Sequence, residues 1–443
     1  MKKLISLIIA SAMLLAMVTV PAFAATDGSL GENVTYHYDT ATTVLTVSGS
    51  GPMTDYASVR VCPIWSDTTI RNNVTEIVIE DGITHVGNYC FSNLAKVTTV
   101  TIPESVTSIG DYGFNAESML TSCDLPSGLT SIGASAFNNC KKMTSLTIPQ
   151  GVTSIGASAF NGWELVTELE IPGSVQTIGN FAFKNWNALT SLTLNEGLVS
   201  LGEATFSQAQ ITEVQLPATL QTMRYDSFSC YQLEAYTVAE GSTHFAAEDG
   251  VLYTYGYEEL VVCPHAKEGV VTINPACTAI GSNAFYECFG ITGIVLPDNL
   301  TSIGDSAFNY TSITEMTVPA TVTSMGLSPF EYCNELVTVN YLANVAALPN
   351  YCFAYCYNLQ TVTLGPGVHA YGVSCFTDCT SLVNAPVIED ATEIPEYCFY
   401  NCSSLASFPI PATVTSIGPS AFENCTQLAE VTLPEGLVSL GTS

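Results

Sequence analysis

Apolar side chains alternate with threonine and serine along Val97-Thr-Thr-Val100-Thr-Ile102, and the alternation stops at Pro103. A shorter alternation, Val106-Thr-Ser-Ile109, follows and runs through Gly110 to Phe114. The same order returns from Met143 to Phe160. Alternation with a period of two predicts a short strand with one buried face, and proline ends pairing of the first strand. Glycine after the second stretch (Gly110, Gly133, Gly156, Gly179, Gly304) is expected to supply a tight bend. The Ala-Phe-x-x-Cys piece that closes the unit fits about one helical turn.

Phenylalanine marks the period. Phe91, Phe114, Phe137, Phe160, Phe183 and Phe206 are 23 residues apart. The beat slips to Phe228, breaks, and resumes at Phe285, Phe308, Phe330, Phe353, Phe376, Phe399 and Phe422. A fixed period in this range predicts a repeat solenoid in which each coil packs only on its neighbours. No coil can bury its inward side chains alone. Stacked at about 4.8 Å, the coils form a parallel sheet, and equivalent residues become ladders. The phenylalanines are then a buried spine.

Two segments depart from the beat. In residues 25–73, Val34 to Tyr38 and Val44 to Val47 alternate around Asp39-Thr40, which predicts a hairpin that caps the first sheet edge. Between Phe228 and Phe285, Gly250-Val-Leu-Tyr253 and Leu260-Val-Val-Cys263 read as a second hairpin, inserted in a loop at about 239–274. Such an insertion is either a binding element or tolerated loop growth. Leu428 to Gly441 begins a further coil and stops before its Ala-Phe turn, so the C-terminus is expected to be truncated.

The first 24 residues change the setting. Lys2 and Lys3 precede an apolar run from Leu4 to Val20, and Ala22-Phe23-Ala24 offers a small-x-small cleavage site. This pattern predicts an export signal and no membrane insertion after its cleavage. Without the signal, 8 basic residues face 40 acidic ones, a net charge of about −32. That surface repels nucleic acid and favours solubility and cationic partners.

The units Leu125-Pro-Ser-Gly-Leu-Thr-Ser-Ile-Gly-Ala-Ser-Ala-Phe-Asn-Asn-Cys140 and Ile410-Pro-Ala-Thr-Val-Thr-Ser-Ile-Gly-Pro-Ser-Ala-Phe-Glu-Asn-Cys425 closely resemble the BspA-like class of leucine-rich repeats. The resemblance covers residues 74–443. Val44 to Tyr56 and Glu248 to Tyr253 also look like segments common in these proteins. It implies a right-handed leucine-rich-repeat superhelix with a parallel β-sheet, short second strands and single helical turns. It further implies a bacterial protein, secreted or on the cell surface, that adheres to host proteins, other cells or matrix. The family shares no catalytic site, and the chain carries no recognisable wall-sorting or wall-binding motif.

Against the phenylalanine beat, most of the sixteen cysteines look like core. Cys140, Cys288, Cys333, Cys356, Cys379, Cys402 and Cys425 fall three after the spine residue, and Cys90, Cys352, Cys375 and Cys398 fall just before it. Buried thiols are the favoured reading, with disulfides between stacked coils still possible. Cys263-Pro-His265 is the one close Cys/His pair, on the inserted hairpin; a dyad needs spatial pairing and an orienting group, and ordinary loop residues are the favoured reading. No nucleophile-elbow, zinc-protease or phosphate-loop pattern occurs. The expectation is therefore no catalytic residue, no metal, no cofactor and no enzyme.

Two surfaces could bind. Outward positions of the main strand (Thr99/Thr101, Ser122/Asp124, Ser145/Thr147, Glu168/Glu170, Ser191/Thr193, Glu213/Gln215) form a hydroxylated, mildly acidic face without aromatic anchors. Tyr310, Tyr332 and Tyr355 instead share one slot, two after phenylalanine, in three successive coils. They are expected to stack as an exposed ladder, with Tyr351, Tyr397 and Tyr400 on the same turns. Such a ladder can grip sugars or protein side chains, or serve lateral packing between coils. The leading expectation is adhesion to an extracellular protein or glycan on a host or bacterial surface. The alternatives are a structural spacer displaying another domain, and the targeting part of an extracellular hydrolase.

Overall fold

The structure is a computed structural model that describes residues 26–442. The export signal at residues 1–24 lies outside the described residues. The chain winds as a parallel β-solenoid. Main strands pair across one period, Glu168 on Ser191 and Ile171 on Leu194. Second strands do the same: Ile109, Ile132, Ile155, Ile178 and Leu201 stand in one column. Inward residues are buried and their neighbours exposed, as in Glu168–Ile171, because a strand lining a core turns alternate side chains to opposite faces.

The phenylalanines stack through the middle. Ring centroids lie between 5.1 Å (Phe114 on Phe137) and 5.6 Å (Phe137 on Phe160), with the rings nearly parallel. Trp163 and Trp186 stand edge-on to this spine, at 5.2 Å from Phe160 and 5.1 Å from Phe183. The column breaks once, between Phe228 and Phe285, and restarts.

The piece around each phenylalanine is not the single helical turn that its length implied. Among the described residues, helices are confined to Val59–Val61, Pro63–Ser66, Thr68–Asn73 and Tyr255–Tyr257. Around Phe114, Tyr112 and Ala116 instead take left-handed φ of 57° and 61°, and around Phe137, Ser135 and Asn139 take 53° and 62°. These reversals turn every second N–H toward the following coil: Tyr112 to the Ala134 carbonyl, Phe114 to Ala136, Ala116 to Asn138. The intervening N–H groups close turns within the coil, Gly113 to Gly110 and Asn115 to Tyr112. A helix would point all its N–H groups along its own axis and leave nothing for the neighbour.

The recurrent glycines also have a different cause from the one the sequence implied. Gly110, Gly133, Gly156 and Gly179 do not adopt positive φ. A Cβ on Gly133 would lie 2.6 Å from the Gly110 carbonyl carbon, and one on Gly156 would lie 2.5 Å from the backbone of Gly133 and Ala134. Close approach of consecutive coils excludes the side chain.

All sixteen cysteines are free, and all but Cys123 are buried. The slot three after phenylalanine has a definite task. There the Cys379 thiol donates to the Phe353 carbonyl (3.1 Å), Cys402 to Phe376 (3.1 Å) and Cys140 to Phe114 (3.4 Å). The same sulfurs accept from the slot N–H of the preceding coil: Cys379 from Cys356, Cys402 from Cys379, Cys140 from Glu117. Where tryptophan holds the slot its indole N–H donates instead, Trp163 to Phe137 (2.8 Å) and Trp186 to Phe160 (2.7 Å). The Phe353 carbonyl also accepts the Cys356 N–H at 3.2 Å, so Cys379→Ala removes one of its two donors and is expected to cost about 0.5–1.5 kcal/mol, read from the shift of the urea midpoint.

Both departures from the beat start a stack. Thr26–Gly31, Val34–Asp39 and Val44–Gly49 form an antiparallel sheet whose last strand pairs parallel with Glu76–Ile79. Likewise Phe245–Glu248, Val251–Thr254 and Glu259–Val262 are antiparallel, and the last pairs parallel with Ala279–Ile280. This second unit does not project as a loop. Phe245, Leu252 and Val262 pack into the core before it, and Val251, Tyr253, Leu260 and Cys263 into the core after it. It crosses the solenoid as a partition.

Candidate functional site

Tyr310, Tyr332 and Tyr355 lie on the phenylalanine turns, each at the second left-handed position, with φ of 60°, 59° and 60°. Because the backbone fixes this slot alike in each coil, the rings fall into register. They stack face to face at 4.6 Å and 4.4 Å, each pair 6° from parallel. Asn93, Asn139, Gly162, Asn185, Asp378, Asn401 and Asn424 hold the equivalent position in most other coils, and Ala116, Gln208 and Glu287 in three, all at positive φ. Glycine, asparagine and aspartate tolerate that conformation best. Tyrosine there costs about 1–2 kcal/mol, and a stacked aromatic pair returns about 0.5–1.5 kcal/mol. Three such residues make only two stacked pairs, so stability alone does not account for three successive tyrosines.

The other three tyrosines stand apart. Tyr351 and Tyr397 occupy the first left-handed slot, two before phenylalanine, and are 43% and 39% exposed. Tyr400 packs edge-on to Tyr397 at 5.6 Å. The six tyrosines thus form one stack of three, one edge-on pair and Tyr351.

Stacking governs what the ladder can present. Inner faces cover one another, so ring edges and hydroxyls meet solvent. Burial, with the nearby carboxylate of Glu331 adding to it, raises the pKa of Tyr310, Tyr332 and Tyr355, which keeps them neutral phenols. Sequence reasoning missed the surroundings. Tyr286 stands edge-on to Tyr310 at 5.7 Å, Tyr357 lies beside the stack, and the Tyr231 hydroxyl donates to Glu287 at 2.8 Å from across the partition. Tyr286 directly follows a spine phenylalanine, a signal that could have been read once that turn was known to reach the surface.

The remaining candidates separate. The outward main-strand residues are exposed, and a depression of about 370 Å³ there is lined by Glu168, Glu170, Ser191 and Thr193. Cys263 and His265 face different partners. The Cys288 thiol reaches the Cys263 carbonyl at 3.6 Å, whereas His265 lies edge-on to Tyr231 at 5.5 Å. Burial lowers the His265 pKa, with Glu287 opposing it. Among the described residues, no group of three or more His, Cys, Asp or Glu is placed to hold a metal ion, and no helix is long and apolar enough to cross a membrane.

A family model described as "BspA type Leucine rich repeat region (6 copies)" matches residues 69–167, 162–249, 278–406 and 392–443. No curated protein matches the chain. The fold is similar to that of a leucine-rich repeat protein from Eubacterium ventriosum, at 23% identity and a TM-score of 0.58, covering 90% of this chain and 95% of that one. It is also similar to a leucine rich cell surface protein from Faecalibacterium prausnitzii, at 23% identity and a TM-score of 0.56, covering 92% and 94%. A leucine-rich repeat protein from Bacteroides ovatus gives 22% identity and a TM-score of 0.52, covering 92% and 94%. At these identities the likeness speaks for the fold.

Proposed function

Because the chain belongs to the BspA type leucine-rich repeat family, we propose that it is an exported bacterial surface protein that adheres to an extracellular protein or glycan through its turn face. One observation carries this reading: three successive coils place tyrosine where most other coils use asparagine, glycine or aspartate, at no gain in stability. Tyrosine supplies contact area at little conformational cost. The carboxylates of Glu287, Glu331 and Asp378 border the stack, so a protein partner with basic side chains fits it. A neutral glycan would meet the hydroxyl edge.

The test is saturable binding of the labelled mature chain to immobilised matrix proteins, glycans and bacterial cells. Tyr310→Ser, Tyr332→Ser and Tyr355→Ser together are expected to weaken a saturable interaction by about tenfold or more, as loss of a central aromatic cluster does. Unchanged binding would remove the ladder as the site. Self-coverage of the ring faces favours a second reading, in which the repeats are a spacer and the stack only joins coils. That reading predicts no saturable binding and lower stability of the triple variant.

A further inference from the structure

Glu117 occupies the slot three after Phe114, where most other coils hold cysteine or tryptophan. It is fully buried. Its Oε1 accepts from the Leu94 N–H at 2.8 Å, and its Oε2 is buried with no partner that a carboxylate could use. Leu94 holds the same slot in the preceding coil. Where cysteine holds this slot, the side chain does two things at once. It accepts from the preceding slot's N–H, and it donates to the preceding phenylalanine's carbonyl, as Cys140 does with Glu117 and Phe114. A thiol can do both. An ionised carboxylate can do only the first, and a protonated carboxyl can do both.

We infer that Glu117 is held as a neutral carboxylic acid, Oε1 accepting from Leu94 and Oε2–H directed to the Phe91 carbonyl, so that cohesion of the N-terminal coils depends on one proton. The ladder places the Phe91 carbonyl where the slot's donor is needed. No lysine, arginine or histidine pairs with Glu117 among the described salt bridges. The titratable group that faces it is a thiol, Cys140 on the following coil, its own pKa raised by burial. Burial likewise drives the Glu117 pKa well above its ordinary 4.5, opposed only by the Leu94 N–H.

The sign follows from linkage. Below pH 4.5 both folded and unfolded chains hold the proton, and the full contribution is present. Above it the unfolded chain releases the proton and the folded chain keeps it. The folding equilibrium constant then falls about tenfold per pH unit until the raised folded value is reached. The device therefore binds the first coils most firmly in acid.

Glu117→Gln supplies a non-titrating mimic, with an amide oxygen for Leu94 and an amide N–H for Phe91. Urea unfolding of the full mature chain from pH 4.5 to 8 is expected to give a wild-type midpoint that falls relative to Glu117→Gln as pH rises. Glu168→Gln, which removes an exposed carboxylate, is expected to run parallel to wild type. A protonated-carboxyl C=O stretch is expected in the infrared spectrum of the wild type at neutral pH. It disappears in Glu117→Gln and in Glu117→Cys, the latter restoring the slot's usual thiol. Parallel curves for wild type and Glu117→Gln, or absence of that band at neutral pH, would overturn the inference. Should the glutamine variant not fold, the band and the cysteine variant decide alone.

Discussion

Phe160→Ala is expected to lower the unfolding free energy by about 3–5 kcal/mol, toward the upper end of that range. Phe160 is fully buried between Phe137 at 5.6 Å and Phe183 at 5.5 Å, with Trp163 edge-on at 5.2 Å. A cavity is cheaper when its walls can relax inward, and these walls cannot. The second-strand column holds Ile132, Ile155 and Ile178 in register on both sides, and the Trp163 indole is tied to the Phe137 carbonyl. Phe422, in the last described turn, is only partly buried, so Phe422→Ala is expected to cost less than half as much. Urea unfolding of the two variants compares them directly, and equal losses would deny the spine its central place.

Gly156→Ala is the smaller change in atoms but is expected to cost about 1–3 kcal/mol or more. The added methyl would meet Ala134 N and the Gly133 carbonyl carbon at 2.5 Å, and the Gly133 oxygen at 2.7 Å. All three are backbone atoms, so no rotamer relieves the contact. The coils must separate, which strains second-strand pairing on both sides. Gly436 gives the comparison. A Cβ there meets nothing nearer than the Ala412 oxygen at 4.0 Å, so Gly436→Ala is expected to stay within about 0.5 kcal/mol of wild type. If the two variants unfold at the same urea concentration, close approach is not the reason for the glycine column.

The repeat, its two strands and the stacked spine were legible because alternation and period are properties of side-chain identity. Tyr310, Tyr332 and Tyr355 could be placed in one column for the same reason. The turn was not legible, because its conformation is set by what the neighbouring coil demands of the backbone. Serine, tyrosine, phenylalanine and alanine at left-handed positions (Ser135, Tyr112, Phe181, Ala116) carry little sign of it. Asn93, Asn139, Asn185, Asn401 and Asn424 did carry one, since asparagine two after phenylalanine is a left-handed signal. The partition between the two cores looks, from its sequence, like a hairpin inserted in a loop, because it interrupts the beat. Yet it is buried on both faces through Val251, Leu252 and Tyr253, which a run of three adjacent apolar residues permits. The double task of the cysteine slot needs two partners from another coil, and no single repeat displays them.

The direction of the turn hydrogen bonds gives the molecule an electrical axis. Around Phe114 and again around Phe137, three N–H groups point to the following coil and three carbonyls receive them. Each peptide carries a dipole of about 3.5 D, and here successive dipoles add along the stack where a β-ladder would cancel them. The phenylalanine turns therefore build two columns, one on each side of the partition, positive toward higher residue numbers. At the negative end of the first column the carbonyls of Asn88 and Cys90 are met by the Tyr56 N–H and the Cys62 thiol, each at 3.3 Å. The N-terminal segment thus supplies the donors that a column of this polarity requires at its start.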